Sequence, residues 1–91
     1  MNTRELQDIA DVCRMLSDPT RLGIVALVTG GGKSVGALCD KLDLPQPTVS
    51  HHLALLRHTG LVTAQRDGKK RIYTLNRKQL VPLKKFLAKV K

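Results

Sequence analysis

The residues best suited to chemistry in this chain are three histidines in the stretch QPTVSHHLALLRH, namely His51, His52 and His58, and two cysteines, Cys13 and Cys39. Clustered histidines raise the question of a shared metal ion. On a helix, adjacent residues diverge by ~100°, so His51 and His52 are poorly placed to ligate one ion. His51 and His58 stand two turns apart, ~10 Å along the axis, too far to share an ion without a third element. The helical metal signature needs histidines four apart, and the stretch has none. No metal site and no cofactor are expected.

Two cysteines do not make a disulfide framework, and in a reducing compartment they default to thiols. Both fall on apolar faces, where the plain reading is a small core residue. The sharper one is a redox switch, in which Cys13 and Cys39 pair or one of them is modified. Pairing requires Cα atoms within ~7 Å. Nothing points to an enzyme: there is no nucleophile-base-acid set and no paired carboxylate, and GGGK lacks the spacing and the Ser/Thr of a nucleotide loop.

The elements that would position these residues are legible from periodicity. Leu6, Ile9, Ala10, Val12, Cys13 and Leu16 recur at helical spacing, predicting a first helix over about 3–16. Asp18 can cap a second helix with Pro19 in its first turn, running from Thr20 to about Thr29 and ending at the glycines of GGG. Ser34 can cap a short third helix with Val35, Leu38, Cys39 and Leu42 on one face, closed by DLPQP. A fourth follows over Pro47 to His58, with Gly60 to end it.

On that fourth helix Val49, Leu53 and Leu56 define the buried face, His52 flanks it, and His51 points away. His52 thus reads as a side chain packed at the edge of the core. His51 is exposed with Thr48 and Ser50 near the start of a helix joined to the preceding one by a short turn, where a recognition helix presents side chains to base edges.

LVTAQRDGKKRIYTL then changes to an alternating period, with Asp67-Gly68 as the dipeptide favoured in tight hairpins, predicting strands at about 61–66 and 70–75. Leu80, Leu83, Phe86, Leu87 and Val90 form an apolar stripe on a last helix. Pro82 falls in its first turn, and Lys84, Lys85, Lys89 and Lys91 occupy its other face.

The net charge of +9 is concentrated in one half. Residues 1–45 carry five basic against six acidic groups, whereas residues 46–91 carry eleven basic groups against Asp67 alone. The basic half is where a polyanion would sit, with nucleic acid the leading candidate and an acidic protein or anionic lipid surface as alternatives. RDGKKR places Arg66, Lys69, Lys70 and Arg71 around a hairpin tip, as a phosphate clamp or minor-groove finger requires. No apolar run reaches the ~18 residues of a membrane span, and the N-terminus is too acidic and polar for a signal peptide, so a cytoplasmic protein with no membrane partner is expected.

LSDPTRLGIVALV, VGALCDKLDLPQPTVSHHLALLRHTGLV and RDGKKRIYTL, in this order, resemble the ArsR/SmtB family of bacterial transcriptional repressors. The resemblance covers roughly residues 14–75, and the outer helices fit it in position. It implies a mainly α fold with a β-hairpin wing, a winged helix-turn-helix of order α-α-α-α-β-β-α. It also implies a homodimer joined through the first and last helices (about 3–16 and 77–91), leaving its operator DNA when an inducer binds. On these positions Gln46, Thr48, Ser50, His51 and Arg57 become candidates for DNA contact from the recognition helix, and Arg66, Lys69, Lys70 and Arg71 from the wing.

Many members sense metal through Cys-Val-Cys early in the third helix, where this chain reads Ser34-Val35-Gly36 without a thiolate. The third cysteine of some arsenic-sensing members has a counterpart in Cys39, but one thiolate does not make the site. A second family site uses acidic residues and histidines of the last helices, and residues 77–91 contain no Asp, Glu, His or Cys. A thiol-reactive inducer therefore stays open.

With 91 residues the chain supports one domain, and its apolar stripes exceed what so small a core can hold, which also favours a twofold interface. Two other readings remain: a winged-helix adaptor that binds an acidic protein, and a DNA-bound redox sensor signalling through a partner.

Overall fold

The computed structural model describes residues 1–90. Helix α1 spans Thr3–Leu16, with Asn2 as its cap: the Glu5 backbone N–H donates to Asn2 Oδ1 at 2.8 Å. Of its apolar stripe only Ile9 and Val12 are buried, and Leu6 is exposed. Helix α2, Pro19–Thr29, starts where Asp18 accepts the Arg21 N–H at 3.0 Å and ends at Gly30, followed by Gly31 at φ 131°. Ile24, Val25 and Val28 turn inward.

A short strand, β1, at Lys33–Ser34 was not expected from the sequence. Two residues are too few to show a period, and the pairing partner lies about forty positions on: Lys33 faces Tyr73 and Ser34 faces Ile72. Gly32 makes room for this approach, since a Cβ there would meet Ile72 Cγ2 at 2.6 Å.

Helix α3, Val35–Leu42, is capped by Ser34, whose Oγ accepts the Ala37 N–H at 3.1 Å. Asp43 ends it in the left-handed region at φ 54°, letting the Leu44 N–H bond back to the Cys39 carbonyl at 3.2 Å. Residues 43–45 are thus the whole link to helix α4, Gln46–His58. Pro45 and Pro47 bracket its start, and Thr59 with Gly60 at φ 81° ends it.

Strands β2, Val62–Asp67, and β3, Lys70–Leu75, pair antiparallel, giving a three-stranded sheet in the order β1-β3-β2. Asp67 pairs with Lys70, so the two-residue loop is Gly68-Lys69 rather than one opened by Asp67-Gly68. Only Gly68 of this loop has positive φ, 64°, which is what a turn with glycine at its first central position needs.

The last helix is shorter than the stripe implied. Residues Arg77–Leu80 form a 3₁₀ turn, and helix α5 covers Val81–Ala88. Pro82 occupies its first turn, where the missing N–H is no loss, and residues before it tighten into the 3₁₀ turn. Val90 lies past its end, and Lys91 lies outside the described residues.

The core collects Ile24, Val25, Val28, Leu38, Val49, Leu53, Leu56, Leu61, Val62 and Tyr73, with Val12 from α1. Tyr73 is its one aromatic side chain, so burial rests on aliphatic packing. Helix α5 buries none of its residues fully. No helix among the described residues is long and apolar enough to cross a membrane.

Candidate nucleic-acid interface

Helix α4 is fixed to the core by Val49, Leu53 and Leu56, each at most 1% exposed. Packing therefore sets which side of the helix turns inward, while its other side is left free. Gln46, Ser50, His51 and Arg57 are exposed there, and Thr48 is half-buried. Arg57 stands in the last turn, beyond the cluster at the N-terminal end, where a cation also suits the helix dipole.

The β2-β3 hairpin carries Arg66, Lys69, Lys70 and Arg71, all exposed. Its register sets Arg66 directly opposite Arg71. Like charges so placed repel, so the arrangement weakens the free hairpin unless an anion lies between or beside them. Among the described residues the ion pairs are Arg4–Asp8 and Arg14–Asp11, and His52 Nδ1 lies 3.8 Å from Asp18 Oδ2. Neither Arg57 nor any of the four hairpin cations joins one. Beside the tip of the hairpin, Lys70 and Arg71 share a recess with Ser34, Gly36 and Ala37 at the start of α3 and with Asp40.

A contact that the sequence did not disclose joins α2 to α4. His52, whose side chain is 16% exposed, sits at the core edge as its helical position implied. Its Nδ1 is 3.3 Å from Arg21 Nη1 and 3.8 Å from Asp18 Oδ2. A guanidinium only donates, so Nδ1 is the acceptor from Arg21. The backbone N–H of Arg21 is the main influence that lowers the Asp18 carboxyl below its ordinary value; burial opposes it, and the Arg21 side chain adds to it. The His51 and His52 rings meet edge to face, 5.4 Å between centroids.

Comparison with known proteins settles the affiliation. Residues 16–65 match the family described as Helix-turn-helix domain. The HTH-type transcriptional repressor SmtB of Mycobacterium tuberculosis is 40% identical over 73 residues, covering 79% of this chain and 54% of that protein. The arsenical resistance operon repressor of Staphylococcus xylosus is 36% identical over 70 residues, covering 77% and 67%. This chain belongs to the ArsR/SmtB family.

Its winged helix-turn-helix architecture is that of the family's solved structures. One is the homodimeric DNA-binding domain (fragment 1–100) of a possible ArsR-family regulator from Mycobacterium bovis, with a TM-score of 0.77 at 26% identity, covering 97% of this chain and 84% of that one. The chain spans about half the length of the first of the curated relatives above, 54%.

Within this ArsR/SmtB chain, the positions that match the Cys-Val-Cys motif are used structurally. Ser34 Oγ is the α3 cap, and Gly36 is exposed beside it. No group of three or more His, Cys, Asp or Glu side chains that could hold a metal forms among the described residues.

Both cysteines are free thiols, with Cys39 half-buried against the core. Cys13 corrects the core reading: it is exposed. α1 buries only Ile9 and Val12 within one chain, and Cys13 lies on the side of the stripe that also leaves Leu6 exposed.

Proposed function

We propose that the chain is a homodimeric, sequence-specific repressor that binds operator DNA and leaves it when an inducer acts. The observation that carries this reading is the wing: four exposed cations, two of them directly opposed, with none of the four in an ion pair among the described residues. An anion of repeating charge relieves that repulsion, and a DNA backbone supplies one. The short link Asp43 to Pro45 sets α4 as a recognition helix, whose Gln46, Thr48, Ser50 and His51 face base edges in the major groove. Arg57 and the wing residues Arg66, Lys69, Lys70 and Arg71 contact phosphates.

Dimerisation is supported by the apolar surface that α1 and α5 leave open. Leu6 is 51% exposed, Phe86 40% and Leu87 55%, and the M. bovis relative is homodimeric. Two copies would present two α4 helices to the half-sites of a palindrome. Such a regulator acts in the cytoplasm. Its inducer is a thiol-reactive species, with Cys13, on the α1 face that also carries Leu6, and half-buried Cys39 as the candidate targets.

Selection from a random-sequence duplex library tests this reading. The expected product is a twofold-symmetric site with half-sites about one helical turn apart. Failure to enrich any sequence, with retained binding to an acidic protein, would favour an adaptor instead.

A further inference from the structure

Arg21, on α2, hydrogen-bonds to both α1 and α4. Its Nε donates to the Met15 carbonyl at 2.8 Å and its Nη2 to the Arg14 carbonyl at 3.4 Å, both in the last turn of α1. The Met15 carbonyl is one that a helix C-terminus leaves without an intrahelical donor, whereas the Arg14 carbonyl also accepts from Ser17 Oγ at 2.7 Å. Its Nη1 reaches across to His52 on α4 at 3.3 Å. Its own backbone N–H is held by Asp18 at the start of α2. The guanidinium is half-buried, so its bonds are shielded from full competition by water.

Van der Waals packing of α4 does not by itself fix its rotation. Val49, Leu53 and Leu56 are aliphatic and could be accommodated after a small roll of the helix about its axis. A hydrogen bond from a planar, fixed-geometry donor to a ring nitrogen has no such freedom. His52 is adjacent to His51, and the two rings are in contact, so restraint on one is restraint on the other.

We propose that Arg21 is a positioning residue for the recognition helix: by bonding His52 to the end of α1, it couples the azimuth of α4, and with it the direction of His51, to the helix that forms the subunit contact. This rests on the reading of α4 as the element that enters DNA. The consequence is selective. Loss of the tie affects discrimination between base sequences more than attraction to phosphate, because the wing cations are untouched.

The experiment compares the wild-type full chain with Arg21→Met, which keeps an apolar stem and removes every donor, Arg21→Lys, which keeps one charged donor, and His52→Leu, which removes the acceptor. Affinity is measured for a duplex enriched by the selection above and for a random duplex. For Arg21→Met the specific-to-random affinity ratio is expected to fall roughly tenfold, the scale of one hydrogen bond to a charged group. Arg21→Lys recovers part of it, and His52→Leu added to Arg21→Met lowers it no further. An unchanged ratio, or equal loss on both duplexes, would overturn the proposal. If Arg21→Met does not fold, His52→Leu, which leaves Arg21 bonded to α1, carries the same comparison.

A DNA-free measurement separates this proposal from the DNA-binding reading. Spin labels are placed at exposed Ala10 on α1 and Ala54 on α4, in a Cys13→Ser, Cys39→Ala background diluted with unlabelled chain. Arg21→Met is expected to broaden the α1–α4 distance distribution, and an unchanged width would contradict the coupling whether or not the protein binds DNA.

Discussion

Arg66 and Arg71 face each other across the two strands of the wing, directly paired in its antiparallel register, with neither in an ion pair among the described residues. A hairpin selected for its own stability would place opposite charges at that position, as it does one step nearer the turn, where Asp67 pairs with Lys70.

Replacing Arg71 by Gln is therefore expected to separate stability from binding. Thermal unfolding of the free protein should show a small rise in Tm, because a repulsive cross-strand pair is gone. Binding should weaken on all duplexes alike, and the slope of log affinity of the dimer against log salt should fall by about two, one for each wing. Neutralising Lys69 and Lys70 together should flatten the slope by about four. An unchanged slope would remove the wing from the interface.

His51→Ala is expected to act differently, lowering affinity for the preferred site by about tenfold while leaving random duplex nearly unaffected. Competition binding with single-base variants of the site is the measurement. Equal loss on both duplexes would mean that His51 merely positions the helix.

Asp18 gives the fold a pH dependence with a definite sign. Its carboxyl is lowered in the folded protein, chiefly by the Arg21 N–H bond. Its contribution is thus present above the ordinary carboxylate range and is lost as pH falls through the lowered value. Asp18→Asn should unfold with a shallower acid dependence than wild type, while the two change in parallel near neutrality. Denaturant titrations at several pH values check this, and identical acid limbs would contradict it.

Leu87→Glu and Leu38→Ala should separate assembly from folding. Leu87 is 55% exposed, so a charge there is expected to yield folded monomer in sedimentation at micromolar concentration. Leu38 is fully buried, and its truncation should cost about 2–5 kcal/mol of stability. A Leu87→Glu dimer would move the subunit contact elsewhere.

Local rules made most of the architecture legible. Asp18 and Ser34 are caps in the structure as in the sequence, and the apolar spacing of Val49, Leu53 and Leu56 set the face of α4. Features that depend on distant partners were not legible. Lys33–Ser34 become a strand because Ile72 and Tyr73 lie alongside, and His52 finds Arg21 from 31 positions away. Periodicity also overstated α5: the apolar stripe runs on to Val90, but the helix stops at Ala88. For Cys13 the same stripe misled, because an apolar face on α1 is not a buried face within one chain.

The most direct measurement is fluorescence anisotropy of the chain on the DNA upstream of its own gene, at physiological salt with excess random competitor, in reduced and mildly oxidised states. The expected result is tight, specific binding by the reduced protein, lost on oxidation. Specific binding that ignores oxidation would retain the repressor and refute the thiol-reactive inducer, whereas absence of specific binding in both states would contradict the account of α4 and the wing as a DNA-reading surface.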